Sequence, residues 1–308
     1  MVSTVIGAVP AAIPEPFLRA QSVPGKFFLM FFAIFFFALV FGLVLFALMY
    51  PAILTINQSL RGRSGEGGLT LSNYSAMFTQ PELLLVLRNT ALWVILVPIL
   101  ATSIGLIYAI LIDRARGEAF AKALIFLPMA ISMVGAGIIW KFVYQYKQTS
   151  RPQIGLLNAI LKFFGFETQQ FLINAPLNTF MLIIVRVWIQ AGFAMTVLSA
   201  AIKAIPDEII EAAKLDGVMA FKMFRYITLP SIRPALVVVV TTIGIGTLKV
   251  FDIVRTMTGG QFDTSVVANE FYSQSFRFNA PGLGASLAVL LFILVIPIVT
   301  YNIIQMRK

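Results

Sequence analysis

The run FFLMFFAIFFFALVFGLVLFALM, residues 27–49, holds no charged residue. A helix of about 20 apolar residues crosses the hydrocarbon core of a bilayer. Five further stretches have similar character: 89–112, 121–144, 177–202, 232–253 and 283–304. In the third of these, ALIFLPMAISMVGAGIIW places Pro128 as an expected kink, which neighbouring helices let a membrane span tolerate. Composition supports the same reading. Hydrophobic residues make up 59% of the chain and charged residues 12%, against about 25% charged in a typical soluble domain. The expected fold class is an all-α membrane protein with six transmembrane helices. The crowded phenylalanines of the first span are expected to face lipid.

Several chemistries lack their residues. The chain has no cysteine and no histidine, which removes thiol chemistry, the commonest metal ligand and the commonest general base. Apart from Asp252 near an end, the spans carry no acid. An enzyme is therefore not expected, and no metal site is expected. No G-x-x-x-x-G-K-[ST] loop exists, and PGKF at Pro24–Phe27 lacks both its glycine spacing and its hydroxyl. No cofactor is expected on this chain. The formal charge of +10 forms no basic run or stripe, so nucleic acid is not an expected partner; lysines and arginines collect at helix ends and cytoplasmic loops.

Six spans put both termini on one side. Twelve Lys and Arg residues fall on that side and ten on the other, whose segments are mostly the longer loops. The rule is best counted near short loops, so the balance favours cytoplasmic termini. Residues 1–26 lack a positive n-region, and Pro10, Pro14 and Pro16 interrupt their apolar run. They read as a cytoplasmic tail, ahead of a transmembrane domain at 27–308. The outer loops, about 51–88, 145–176 and 254–281, read as connectors, with one short helix around IGLLNAILKFFGF. No internal repeat stands out.

The polar stretch between the fourth and fifth spans, 204–230, is longer than a connection needs. IPDEIIEAAKLDG has the marks of a short helix. Pro206 suits its first turn, Asp207 and Glu208 complement the positive dipole end, and Gly217 suits a left-handed cap. Ala212 and Ala213 leave one face flat. ITLP, 227–230, then stops the chain, and Ser231 suits the N-cap of the fifth span. An ordinary solvated loop helix and a docking element fit these residues about equally.

The pattern Glu211-Ala212-Ala213, three residues, Gly217, nine residues, Ile227, one residue, Leu229-Pro230 resembles the EAA loop of binding-protein-dependent ABC importer permeases, without a gap. From about residue 48 onward, YPAILTINQSL…LSNYSAMF, RNTALWVIL, FLPMAISMVGAGIIWKFVY and VWIQAGFAMTVLSAAIKAIPDEIIEAAKLDG are similar to the sugar-uptake branch of that family. The resemblance implies the type I importer fold, with 204–230 as the segment that docks on a cytoplasmic ATPase. The positions concerned are Glu208, Glu211, Ala212, Ala213, Asp216, Gly217, Ile227, Leu229 and Pro230. It also implies a second homologous permease, two ATPase subunits that use ATP and Mg, an extracytoplasmic solute-binding protein and a bacterial inner-membrane location. After the fifth span, MTGGQFDTSVVANEFYSQSF departs from the family's TGGGP turn. It is similar to the subgroup handling α-glucosides and glucosylglycerol-type solutes.

Arg186, Gln190 and Phe193 share one face of the fourth span, at i, i+4 and i+7. An arginine inside a span usually points into the bundle or a cavity; pairing with a neighbour or snorkelling outward fits as well. Thr242, Gly246 and Lys249 share a face of the fifth span, with Thr247 and Asp252 nearby. Lys249 and Asp252, three apart, read first as a helix salt bridge. The resemblance makes these residues of two spans candidates for the path of a sugar or glycoside. A stand-alone secondary transporter or channel is the alternative, and it calls for membrane-embedded carboxylates that the spans lack.

Overall fold

A computed structural model describes residues 23–113, 116–148 and 152–306. The expected tail is thus largely outside the described residues, as are Arg19, Arg114, Arg151, Arg307 and Lys308. No strand occurs among the described residues. The helices are α1 Val23–Ser59, α2 Ser72–Thr79, α3 Pro81–Ile112, α4 Glu118–Phe126, α5 Met133–Val143, α6 Leu156–Phe163 and α7 Leu177–Lys203. They continue as α8 Asp207–Leu215, α9 Ala220–Ser231, α10 Arg233–Leu248, α11 Asp252–Met257, α12 Val267–Phe276 and α13 Pro281–Met306. Four are long and apolar enough to cross a membrane, and six spans result if each of two bent pairs counts as one.

Two compact units divide the chain at Leu54. The first contains the body of α1, whose large side chains such as Phe31, Phe37 and Phe46 are more than half exposed. The second, from Thr55 onward, is built on α7, whose Leu182, Ile183, Ile189, Met195 and Leu198 are all within 1% of full burial. A Cβ added to Gly105 of α3 would sit 2.5 Å from the Ala194 Cβ and 2.7 Å from the Met195 nitrogen of α7. Small residues are what let membrane helices approach this closely.

The structure corrects several expectations. The third span is not a kinked rod: α4 runs through a 3₁₀ turn at Leu127–Ala130, and α5 leaves at 101°. Pro128 lies inside that turn. The new direction starts at Ser132, whose Oγ accepts from the Gly135 N–H at 3.0 Å and so caps α5. The helix of the fifth span does not run unbroken to 253: α10 is interrupted after Leu248. Its 16 residues rise roughly 24 Å at 1.5 Å per residue.

The segments read as outer connectors contain α2, the starts of α3 and α13, and α12. Their polar residues are used internally. Buried Asn89 donates to the Asp263 and Ser265 carbonyls at 2.6 and 3.1 Å, and Thr90 Oγ1 accepts from the Val267 N–H at 2.9 Å. α6 lies where the short outer helix was expected.

At the other end, Pro206 is the residue before α8 rather than within its first turn. ITLP does not stop the chain: Phe224–Thr228 form a π-turn that carries α9 through Pro230 to Ser231. Pro230 occupies the first turn of that continuation, where its missing N–H costs little. Ser231 Oγ donates back to the Ile227 carbonyl at 2.7 Å instead of capping. The 68° turn comes at Ile232, before the Arg233-Pro234 start of α10.

Candidate solute cavity and docking segment

The fifth span breaks between Leu248 and Asp252, and the break opens a cavity of about 270 Å³. Irregular backbone at membrane depth is tolerated where it is buried in protein or lines a cavity. Arg186, Gly246, Lys249 and Asp252 all line this one, with Met133, Val250, Phe251 and Ile253. Arg186 is 8% exposed. Its Nη1 donates to the Met133 thioether at 2.9 Å, and its Nε is buried without a partner. An added Cβ at Gly246 would meet Arg186 Nη2 at 3.3 Å; this glycine makes room for the guanidinium.

Lys249 and Asp252 do not form the expected helix salt bridge. Lys249 follows the end of α10, Asp252 begins α11, and the ion pairs among the described residues join other groups. The non-helical residues between them remove the i, i+3 geometry that such a bridge requires. Both side chains are instead exposed at the cavity.

The other path candidates are not brought into the cavity. Gln190 and Phe193 are half-buried further along α7, and Phe193 packs on the core. Thr242 is exposed on α10, while Thr247 is fully buried and donates to the Ile243 carbonyl at 2.7 Å. Met133, Val250, Phe251 and Ile253 were not among the sequence candidates. Only the Ser132 cap signal, two residues beyond a proline-containing turn, hinted that Met133 begins a new helix.

The second cluster lies on the segment after α7. α8 ends in a Schellman cap: Val218 N–H donates to the Ala213 carbonyl and Gly217 N–H to the Lys214 carbonyl, each at 3.0 Å. Gly217 has φ +75°, the left-handed value that suits glycine. α8 is seated by Ile205, Ile210 and Ala213, of which Ala213 is 7% exposed. Adjacent helical residues lie about 100° apart, so Ala212 faces outward and the two alanines do not form one flat face.

Glu208, Glu211, Asp216 and Gly217 are exposed with Ala212. Pro230 is exposed, and Ile227 and Leu229 are half-buried. Beyond these, Leu215, Met219, Phe221 and Tyr226 are 89, 78, 77 and 72% exposed. At the root of the segment Lys203 bridges Asp113 at 3.4 Å and Glu118 at 2.5 Å, tying the end of α7 to the turn between α3 and α4. Lys122 joins the same cluster through Glu118 at 2.7 Å and through Ser199.

No protein-family model matches the chain. It is 44% identical over 256 residues to the osmoprotective compounds uptake permease protein GgtC of Synechocystis sp., a match covering 83% of this chain and 92% of that one. It is 47% identical over 257 residues to the alpha-glucoside transport system permease protein AglF of Rhizobium meliloti, covering 83% and 76%. A solved bacterial ABC transporter that imports the acidic polysaccharide alginate shares the fold at a TM-score of 0.77 and 18% identity, over 93% of this chain and 99% of that one. The chain is a multi-pass inner-membrane protein and belongs to the permease subunits of ABC sugar importers, transport components whose partner ATPases hydrolyse the ATP.

Proposed function

We propose that this chain forms half of the translocation path for a sugar or glycoside of the α-glucoside or glucosylglycerol kind. Its termini lie in the cytoplasm, and 204–230 docks on an ATPase there. A second, homologous permease completes the path, because a single chain carries one such segment. Two ATPases use ATP and Mg, and an extracytoplasmic binding protein delivers the solute. The similarity to AglF, an alpha-glucoside transport permease, supports the α-glucoside class, and GgtC is a permease for osmoprotective compounds.

The cavity at the break in the fifth span is the solute contact. Arg186 and Lys249 donate hydrogen bonds to hydroxyls, Asp252 accepts them, and Phe251 offers an apolar ring face to sugar C–H groups. Half-buried Gln190 on α7 and exposed Thr242 on α10 continue the path beyond the cavity, while Phe193, packed on the core, and fully buried Thr247 support its walls. ATP-driven closure of the ATPases moves the docked segments, and the differential affinity of each state for ATP and solute drives the switch.

The observation that carries the proposal is the exposed apolar group of Leu215, Met219, Phe221 and Tyr226 around the capped end of α8. Apolar patches of this kind on a polar segment mark protein contacts. The chain has no native cysteine, so Leu215→Cys introduces a unique thiol. With a short bifunctional reagent in the assembled complex it is expected to crosslink to an ATPase subunit. Crosslinks confined to lipid or to the binding protein would reject the reading.

A further inference from the structure

At the Leu177 end of α7, away from the docking segment, two adjoining clefts open beside the outer ends of the third and fifth spans. α7 is 27 residues long, so this end lies roughly 40 Å from the docking segment at 1.5 Å per residue. The first cleft, about 650 Å³, is lined by Lys141, Arg255 and Arg277 and by no acid. The second, about 550 Å³, is lined by Ile138, Phe142, Tyr144 and Phe171, and shares Lys141, Leu172 and Ile173 with the first.

Of the three cations Arg255 is partly buried, while Lys141 and Arg277 are exposed at the cleft. The Arg255 guanidinium carbon sits 4.8 Å from the centre of the Tyr272 ring, while its Nη1 is buried with no hydrogen-bond partner. Lys141 Nζ reaches the Thr256 carbonyl at 3.4 Å, a long contact. Arg277 lies 6.0 Å from the Phe278 ring centre. The ion pairs among the described residues involve Lys122 and Lys203 instead. The buried Arg255 Nη1, without an acceptor, favours a carboxylate or phosphate oxygen, to which such bonds are short and strong.

The apolar cleft selects among anions. Ile138 and Phe142 of α5 are 47 and 66% exposed, so the trough continues onto the flank that this spanning segment presents to lipid. α6 lies at the same level. Its buried Asn158 donates to the Gln145 and Gln169 carbonyls, both at 3.0 Å, which fixes the helix over the outer end of α5. Leu156, Ile160 and Phe163, at i, i+4 and i+7, are left exposed on one face, as in helices lying in the membrane interface. A basic slot over an apolar trough at the hydrocarbon boundary matches a phospholipid whose headgroup carries net negative charge.

We propose that the two clefts together hold one anionic phospholipid. Its phosphate lies against Lys141, Arg255 and Arg277, and an acyl chain runs along Ile138 and Phe142. It belongs to the outer leaflet in the orientation proposed above, whereas the site itself does not depend on that orientation or on the solute.

The test uses the complete importer, purified with its partners, delipidated and titrated in native mass spectrometry. The probes are phosphatidylglycerol, phosphatidylcholine of the same chains and glycerol 3-phosphate. Phosphatidylglycerol is expected to bind at least roughly tenfold more tightly than phosphatidylcholine, whose choline cation neutralises its headgroup and is repelled by Lys141, Arg255 and Arg277. Lys141→Gln with Arg255→Gln should abolish that preference. An unchanged preference in the variant overturns the proposal. Glycerol 3-phosphate binding as tightly as the lipid overturns it in favour of a free-anion site. A photoactivatable phosphatidylglycerol on the unmodified complex is expected to label 138–146 and 170–173. Labelling confined to other surfaces also overturns it, and this arm requires no variant.

Discussion

Gly246 faces Arg186 so closely that the first side-chain carbon at 246 would lie 3.3 Å from Nη2. α10 can flank the guanidinium at this level because that position has no side chain. Gly246→Val is expected to displace Arg186 or to strain the contact by about 1–3 kcal/mol. Uptake into proteoliposomes, with the binding protein supplied, should fall sharply while complex yield holds. Gly246→Ala should fall less, since its methyl meets the tip of a flexible side chain.

Arg186 itself separates a structural from a transport role. Its Nε is buried and unpartnered, and replacing a buried charged group by an apolar one of similar size is often neutral or stabilising by about 1–4 kcal/mol. Arg186→Met is therefore expected to keep or raise the melting temperature of the complex while solute-stimulated ATP hydrolysis drops. Loss of stability with hydrolysis retained would mean that the arginine only holds the bundle together.

Asn89, 1% exposed, fastens the loop after α11 to α3 through two carbonyls. Asn89→Ala leaves both without their donor, and an unsatisfied buried polar group costs about 1–3 kcal/mol. Amide hydrogen exchange over residues 258–266 should quicken, with exchange in α7 unchanged.

The α3–α7 contact is less forgiving. At Gly105 a methyl would meet backbone as well as Ala194, and backbone cannot swing aside. Gly105→Val is expected to cost at least about 1–3 kcal/mol by overpacking. The checking measurement is the yield of folded chain in detergent, which should collapse.

Local patterns explain which of these features could be read before the fold was known. Apolar runs of 20 residues are their own signal, so the four unbroken spans were legible, whereas the bends in the third and fifth were not. The cap at Gly217 was legible too, where one residue type meets one backbone requirement. The break at 249–251 was not, because Lys-Val-Phe carries no turn residue and the preceding pattern simply continues. Asn89 and Thr90 open the second span, but what they fasten was not legible, because their partners lie about 175 positions away, which no window along the chain can see. α12 was missed for a similar reason: VANEFYSQSF buries Val267, Asn269, Ser273 and Gln274, a largely polar inner face. Arg186, Gly246, Lys249 and Asp252 were singled out in advance, but only the fold joined them and cancelled the Lys249–Asp252 bridge.

The docking segment carries the central claim, and coupled transport measures it most directly. The double variant Glu211→Lys, Gly217→Pro reverses a charge on the exposed face of α8 and removes its left-handed cap, for which proline's φ near −65° is unsuited. Both sites lie outside the spans, so insertion and permease pairing should persist. In proteoliposomes containing the two ATPases and the binding protein, the variant is expected to lose ATP-driven uptake while its amount in the membrane matches the unmodified chain. Uptake at the unmodified rate would contradict the assignment of 204–230 as the place where the ATP cycle acts on this permease.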